Sequence, residues 1–341
     1  MQAQFITQRR RYASKVACGV LHLSALLGAL LATHAALAQS PTSTPALRMP
    51  QVEQQQLDYG LQVSSLPGGW RVIAGANDDF SPQNGCNIIN TVFIADGPSA
   101  VVINTGVSLR YGQQQRALVE RSTGLPVREV WALNLHPDYF FGNQAFKGAT
   151  LKATALTIEG SKREGAAYAD NLYRLCGEWM KGTESTPPDT STAAADFRLS
   201  GRAIEVLELN GHTDSDLVIF DRTHRVLIAG GLVFNQRVPT MPHAKLKNWM
   251  DSLVRLLELP IDVVVPSHGP VASGKQAILD TLDYLRWFDD RLVTSARKGL
   301  EMNEVLRLPI PDRFAKWAAM PDEYARNVTT LYPAYEDNML R

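Results

Sequence analysis

Cysteine, histidine and net charge are all scarce in this chain of 341 residues, and each scarcity narrows its chemistry. Lys plus Arg and Asp plus Glu both number 34, so there is no basic excess to build a nucleic-acid face. Three cysteines are present, and Cys18 lies in an N-terminal leader, which leaves Cys86 and Cys176 and at most one bridge. No glycine-rich loop of the Walker type occurs, and no short motif repeats at a fixed period. What is present is ordinary for a globular protein with a sizeable core, at 45% hydrophobic and 20% charged residues.

The leader has its own composition. Arg9, Arg10, Arg11 and Lys15 precede an uncharged, largely apolar run from Val16 to Ala36, and Ala36-Leu37-Ala38 follows. A cationic start, an apolar middle and small residues at the end describe a secretory signal over residues 1–38. The arginines of "QRRRYAS" resemble a twin-arginine signal without its first residue or the apolar one after the aromatic. The alternative is an uncleaved anchor, since the run is nearly long enough to span a bilayer. His22, Ser24, Thr33 and His34 weigh against it. The expected address is therefore periplasmic or secreted, with no membrane span after cleavage. The remaining chain carries 30 Lys plus Arg against 34 Asp plus Glu, a formal charge of −4. In an exported chain Cys86 and Cys176 either pair or stay as two buried thiols; their separation in sequence does not decide it.

Residues 39–56 are rich in Ser, Thr, Pro and Gln and read as a flexible leader segment. Strand signals follow at "LQVSSL" and "WRVIAG", and "NIINTVFIA" and "AVVIN" flank the turn "DGPS" as a hairpin. A helix over "RYGQQQRALVERSTG" ends at Gly124, and "VREVWAL" is a short strand. A second helix is expected from Thr157 to about Lys181. The strands "AIEVLEL", "DLVIFD" and "RVLIAG", the helix "KLKNWMDSLVRLLEL" and the strand "DVVVP" come next. This order predicts two β-α halves packed sheet on sheet with helices outside, over residues 57–272. Helical segments dominate residues 273–341, an extension over the core.

Three separated segments each place a His in a loop at a strand's end: "LNLHPDYFFGN" (His136, Asp138), "LNGHTDSDLVIFD" (His212) and "VVVPSHGPV" (His268). Such loops converge on one edge of a layered fold. Imidazoles and a carboxylate gathered there are the usual donors for zinc, which in turn activates water.

The order Asn-x-His-x-Asp, Gly-His-Thr, Gly-Gly-Leu-Val-Phe and Pro-Ser-His-Gly-Pro resembles the metallo-β-lactamase superfamily. "NGCNIINTVF", "NLYRLCGEWMKGTE", "FNQRVPTMPHA" and "DTLDYLRWFDDRL" resemble its exported branch of quinoprotein relay system zinc metallohydrolases. The resemblance implies an α/β fold, a metallo-β-lactamase-like αββα sandwich with a C-terminal helical extension. It also implies a zinc hydrolase that attacks an ester- or amide-like bond, accessory to a periplasmic quinoprotein dehydrogenase. His136 and His212 match ligands of the family's first metal; Asp138 and His268 match ligands of its second. Asn134 and Tyr139 stand where the family has His, Gly231 where it has a bridging Asp, and Asn104 where an Asp buttresses the loop.

Asn offers only a carbonyl oxygen, Tyr ligates well only as phenolate, and Gly231 offers nothing. At most one zinc ion is therefore expected, on a mixed set of His136, Asp138, His212 and His268, with His243 of "VPTMPHA" as a fifth candidate donor. Asp138 either ligates the ion or acts as base toward the attacking water, on a small-molecule substrate. Tyr139 or His243 would stabilise the developing oxyanion. The rival expectation is a binding or accessory protein that kept the pocket and lost the chemistry; a β-lactamase in the strict sense rests on the superfamily's name alone. His243 reads equally as a pocket residue or a loop residue, and His224 as a surface residue.

Overall fold

In the computed structural model, which describes residues 57–199 and 201–339, the strands form two sheets. The first contains β1 (Val63–Ser65), β2 (Arg71–Ile73), β3 (Thr91–Asp96), β4 (Ser99–Ile103), β5 (Val127–Trp131), β6 (Thr150–Ala153) and β7 (Thr190–Ser191), side by side in chain order. Its first four strands pair antiparallel, and from β4 onward the pairing is parallel. The second contains β8 (Ala195–Leu199), β9 (Arg202–Leu209), β10 (Asp216–Asp221), β11 (Val226–Ile228), β12 (Val263–Val265) and β13 (Ala272–Ser273), again as ordered neighbours. Only β11 and β12 run parallel there.

Parallel neighbours need crossovers, and helices supply them. α1 (Leu109–Thr123) joins β4 to β5; Ser108 caps its start by accepting from the Tyr111 N–H, and Gly124 at φ 71° ends it. A single turn, α2 (Pro137–Phe140), follows β5, and α3 (Ala155–Cys176) follows β6. α4 (Leu246–Leu257) links β11 to β12. α5 (Gln276–Arg297), α6 (Met302–Arg307), α7 (Asp312–Ala315) and α8 (Asp322–Met339) form the C-terminal helical region.

Side-chain alternation sets the layers. Leu217 and Ile219 of β10 meet Ile94, Val101 and Ile103 of the first sheet in a core between the sheets. Val218 and Phe220, their neighbours on the same strand, point the other way, onto Trp249 and Leu253 of α4 and Leu285 of α5. Phe93, Val102 and Val130 on the outer face of the first sheet pack against Val119 of α1. The result is the αββα sandwich expected from the sequence, with the C-terminal helices laid over the second sheet.

The described residues belong to one compact unit, Val52–Arg341, and include no helix long and apolar enough to cross a membrane. The leader expectations, over residues 1–38 and 39–56, lie outside the described residues. Cys86 and Cys176 form a disulfide, which ties the end of α3 to the loop before β3. Strands β6 to β8 and β13 escape the sequence reading. The second helix begins at Ala155 and gives way to a 3₁₀ turn at Gly177.

Candidate active site

Three loops, each leaving the end of a strand, supply the site. The loop after β5 runs straight into α2, where Pro137 takes an early position whose missing N–H costs nothing. His136 stands just before that turn in extended backbone (φ −69°, ψ 149°), and Asp138 lies within it. The loop after β9 passes Gly211, whose φ is +122°; a Cβ there would lie 2.2 Å from the Trp249 backbone, so glycine is required for His212 to turn inward. The loop after β12 is held by a bridge between His268 and Phe234. Asn90 also holds it, its amide donating to the Pro266 oxygen at 3.0 Å and the Gly269 oxygen at 2.7 Å.

His136, Asp138, His212 and His268 are all buried and line one cavity of about 140 Å³. The His136 and His212 rings meet edge to face with centroids 4.6 Å apart. The His268 ring stacks on Phe234 at 4.9 Å, and Phe234 also reaches His212 at 5.6 Å. His268 Nε2 lies 3.0 Å from Asp138 Oδ2. Phe80, Ile88 and Leu172 make the remaining wall largely apolar. Phe80, Asn171, Thr240 and Pro242 also line a larger basin of about 640 Å³, whose other side includes residues of α8.

Burial holds His136 well below the usual imidazole range, helped by the nearby imidazoles of His212, His243 and His268. Burial likewise lowers His268 to about 4, against the opposing pull of Asp138. Both rings are therefore neutral near pH 7, the form in which imidazole ligates a cation.

His212 carries the test of whether a metal fits. Its Nδ1 lies 3.3 Å from Asp216 Oδ1, while Oδ2 of that carboxylate accepts the Thr213 N–H at 2.8 Å. Nε2 is buried with no hydrogen-bond partner, and in the tautomer whose Nδ1 proton goes to Asp216 it keeps a lone pair. A partnerless buried donor beside two further imidazoles and a carboxylate fits the chemistry of a divalent cation such as zinc.

That fit extends to one ion and no further. The Asn134 oxygen is already engaged with the His136 N–H at 3.0 Å, and its amide points to His212 and Asp216 at 3.3 Å each. Gly231 leaves no room for a ligand: a Cβ there would sit 2.0 Å from His212 Nδ1 and 2.5 Å from Asn134 Nδ2. Among the described residues no three of His, Cys, Asp and Glu are grouped closely enough to hold an ion as they stand; the donors occur as pairs.

Two expected roles need correction. Tyr139, expected to stabilise charge in the site, is fully buried in the core between the sheets and does not line the cavity. Its hydroxyl faces Ser267 and Asn134 without a well-formed hydrogen bond to either, and burial, then Asp138, pushes its pKa far up, which rules out phenolate near neutral pH. His243 does not line the cavity either. It stands behind His136, Nδ1 to Nε2 at 3.0 Å, with its own Nε2 3.0 Å from Glu164 Oε2. His224 is half-buried, 3.0 Å from the buried carboxylate of Asp221.

The sequence reading missed Asp216, Glu164 and Asn90. Asp216 follows His212 by four residues in "HTDSD", a spacing that could have drawn notice. Glu164 sits in the middle of α3 among other charged residues, and nothing local marks it.

The family model of the metallo-beta-lactamase superfamily matches residues 84–268. The linear primary-alkylsulfatase of Pseudomonas sp. (strain ATCC 19151) is 21% identical over 281 residues, covering 69% of this chain and 53% of that protein. This chain thus spans about half the length of the alkylsulfatase. The acyl-coenzyme A thioesterase MBLAC2 of Homo sapiens is 22% identical over 214 residues, covering 53% of this chain and 73% of that protein. Among solved structures, a metallo-beta-lactamase from Pontibacter korlensis superposes with a TM-score of 0.53 at 22% identity, over 66% of this chain and 99% of that one. One from Hirschia baltica gives 0.52 at 20% identity, over 66% and 97%. At these identities the structural likeness speaks for the fold alone.

Proposed function

The chain belongs to the metallo-beta-lactamase superfamily, and from that premise we propose that it is a hydrolase of small ester-type substrates, with one zinc ion as its cofactor. The observation that carries the reading is the buried, partnerless Nε2 of His212 in a cavity wall shared with His136, Asp138 and His268. Those four residues would hold the ion. When bound, it supplies Lewis acidity and makes water a nucleophile near neutral pH.

The chain's own groups do the rest. Phe80, Ile88, Leu172 and Phe234 exclude bulk water and receive the apolar part of a substrate next to the bond to be cleaved. Asp138, whose Oδ2 lies 3.0 Å from His268 Nε2, is either the ion's fourth donor or, left free of it, the base that orients the attacking water and takes its proton. Asp216 and Asn134 keep His212 from turning. The relatives act on an alkyl sulfate and an acyl thioester by name, and an apolar cavity opening into a wider basin suits a substrate of that two-part kind.

A second reading is favoured by the same pairing of donors: the pocket is kept for binding, without turnover. A screen of acyl esters, acyl thioesters, primary alkyl sulfates and a chromogenic β-lactam separates the two. The hydrolase reading expects zinc-dependent turnover of at least one class, lost in His212→Ala. Turnover of none by the zinc-supplemented protein leaves the binding reading.

The proposal extends to location and partner. The signal-like residues 1–38 and the Cys86–Cys176 disulfide support export to an oxidising compartment such as the periplasm. The resemblance to quinoprotein relay system zinc metallohydrolases supports a role beside a quinoprotein dehydrogenase. Deleting the gene should then lower that dehydrogenase's activity, and unchanged activity would remove the partner from the proposal.

A further inference from the structure

His243 and Glu164 have no place in the reaction as described, yet they form an ordered chain into it. Glu164 Oε2 lies 3.0 Å from His243 Nε2, and His243 Nδ1 lies 3.0 Å from His136 Nε2. The carboxylate is itself fixed on α3: the Tyr168 hydroxyl donates to Oε2 and Arg163 Nη2 to Oε1, both at 2.7 Å. The chain begins at partly exposed side chains, 22% for Glu164 and 27% for His243, and ends at a ring inside the cavity wall.

A carboxylate has only lone pairs to offer, so the proton between Glu164 and His243 belongs to His243 Nε2. With that single proton on His243, its Nδ1 keeps a lone pair and is the acceptor of the next link. The proton in the next link therefore belongs to His136 Nε2, and the bare nitrogen of His136 is Nδ1. We propose that Glu164, acting through His243, is a positioning residue that fixes His136 in its Nε2–H tautomer and so reserves Nδ1 for the ligand of the cavity. The inference rests on the hydrolase reading for its purpose, but the tautomer can be read without substrate or metal. Carboxylate–imidazole pairs behind a ligating group commonly set its basicity and orientation; here a second imidazole stands between the carboxylate and the ligating ring.

The test is a ¹⁵N–¹H correlation of the histidine rings in metal-free protein, with His136 assigned by difference from His136→Gln. The wild type is expected to show His136 as a single Nε2–H tautomer. Glu164→Gln, whose amide can donate as well as accept, is expected to give a mixture of tautomers. A second pair of variants guards against a folding defect: His243→Leu removes the acceptor, whereas His243→Asn can place an oxygen near the lost Nδ1 and restore the single tautomer. Zinc affinity, read by competition with a chromophoric chelator, should fall about 10- to 100-fold in Glu164→Gln and His243→Leu, as for other groups supporting ligating imidazoles. An Nδ1–H tautomer for His136 in the wild type, or one unchanged in Glu164→Gln and His243→Leu, would overturn the inference. Absence of any hydrolysed substrate would count against the hydrolase reading and leave this measurement intact.

Discussion

The most informative single substitution is Gly231→Ala. Gly231 has ordinary negative-φ backbone, so alanine adds no conformational strain, and its effect is purely one of space. The new methyl would sit 2.0 Å from His212 Nδ1 and 2.5 Å from both His212 Cε1 and Asn134 Nδ2, where ordinary contact begins at 3.4 Å. The imidazole would have to retreat by about 1.4 Å, with His136, Phe234 and Trp249 packed around it at centroid distances of 4.6, 5.6 and 5.0 Å. Overpacking of this kind costs roughly 1–3 kcal/mol, and losing the bond to Asp216 adds about 1 kcal/mol. At 2–4 °C per kcal/mol for a domain of comparable size, the melting temperature should fall by roughly 4–16 °C. Displacing a site group by an ångström costs on the order of a hundredfold in rate. Both are measurable, by thermal unfolding and by turnover of whichever ester class the screen identifies. A variant that melts within about 1 °C of wild type and keeps its activity would show that His212 is not held as described, since a 1 kcal/mol loss alone shifts the midpoint by more.

Other perturbations reach different parts of the molecule. Replacing Cys86 and Cys176 together by Ser opens a loop of 90 residues and should cost about 2–5 kcal/mol; a matching drop in melting temperature should follow reduction of the wild type. For His268 the folded pKa, about 4, lies below the unfolded value near 6.5. The unfolded chain therefore takes up the proton first, and this group's contribution is full above pH 6.5 and lost as pH falls toward 4. Between those limits the metal-free wild type should lose stability at up to about 1.4 kcal/mol per pH unit more steeply than His268→Gln, read as urea midpoints against pH. Thr330→Trp would narrow the basin beside α8; KM should rise for long-chain substrates and stay unchanged for short ones, and a uniform rise would detach the basin from binding.

Much of this architecture was legible in the residues. β10 reads as a strand because Leu217, Val218, Ile219 and Phe220 are all buried, two on each face, and Gly124 marks the end of α1 as a left-handed cap should. Strands such as β6 ("TLKA") were not legible: they are short, mixed in polarity, and ordered by their neighbours. Within the site, residues carrying their own loop motif could be found, and His136, His212 and His268 reach one cavity. Residues that act by contact across the fold could not. Glu164 lies 79 positions from His243 and is marked only by where α3 passes. Tyr139 shows the opposite failure: its position in the motif suggested a place in the site, but the turn of α2 sends its ring into the core.

The proposed function requires one cation, and only one, among His136, Asp138, His212 and His268. Anomalous diffraction at the zinc edge, on protein crystallised from zinc-supplemented buffer, counts and places such ions. A single peak bounded by those four side chains is expected. Two peaks in the cavity, or none there while zinc binds elsewhere on the chain, would contradict it.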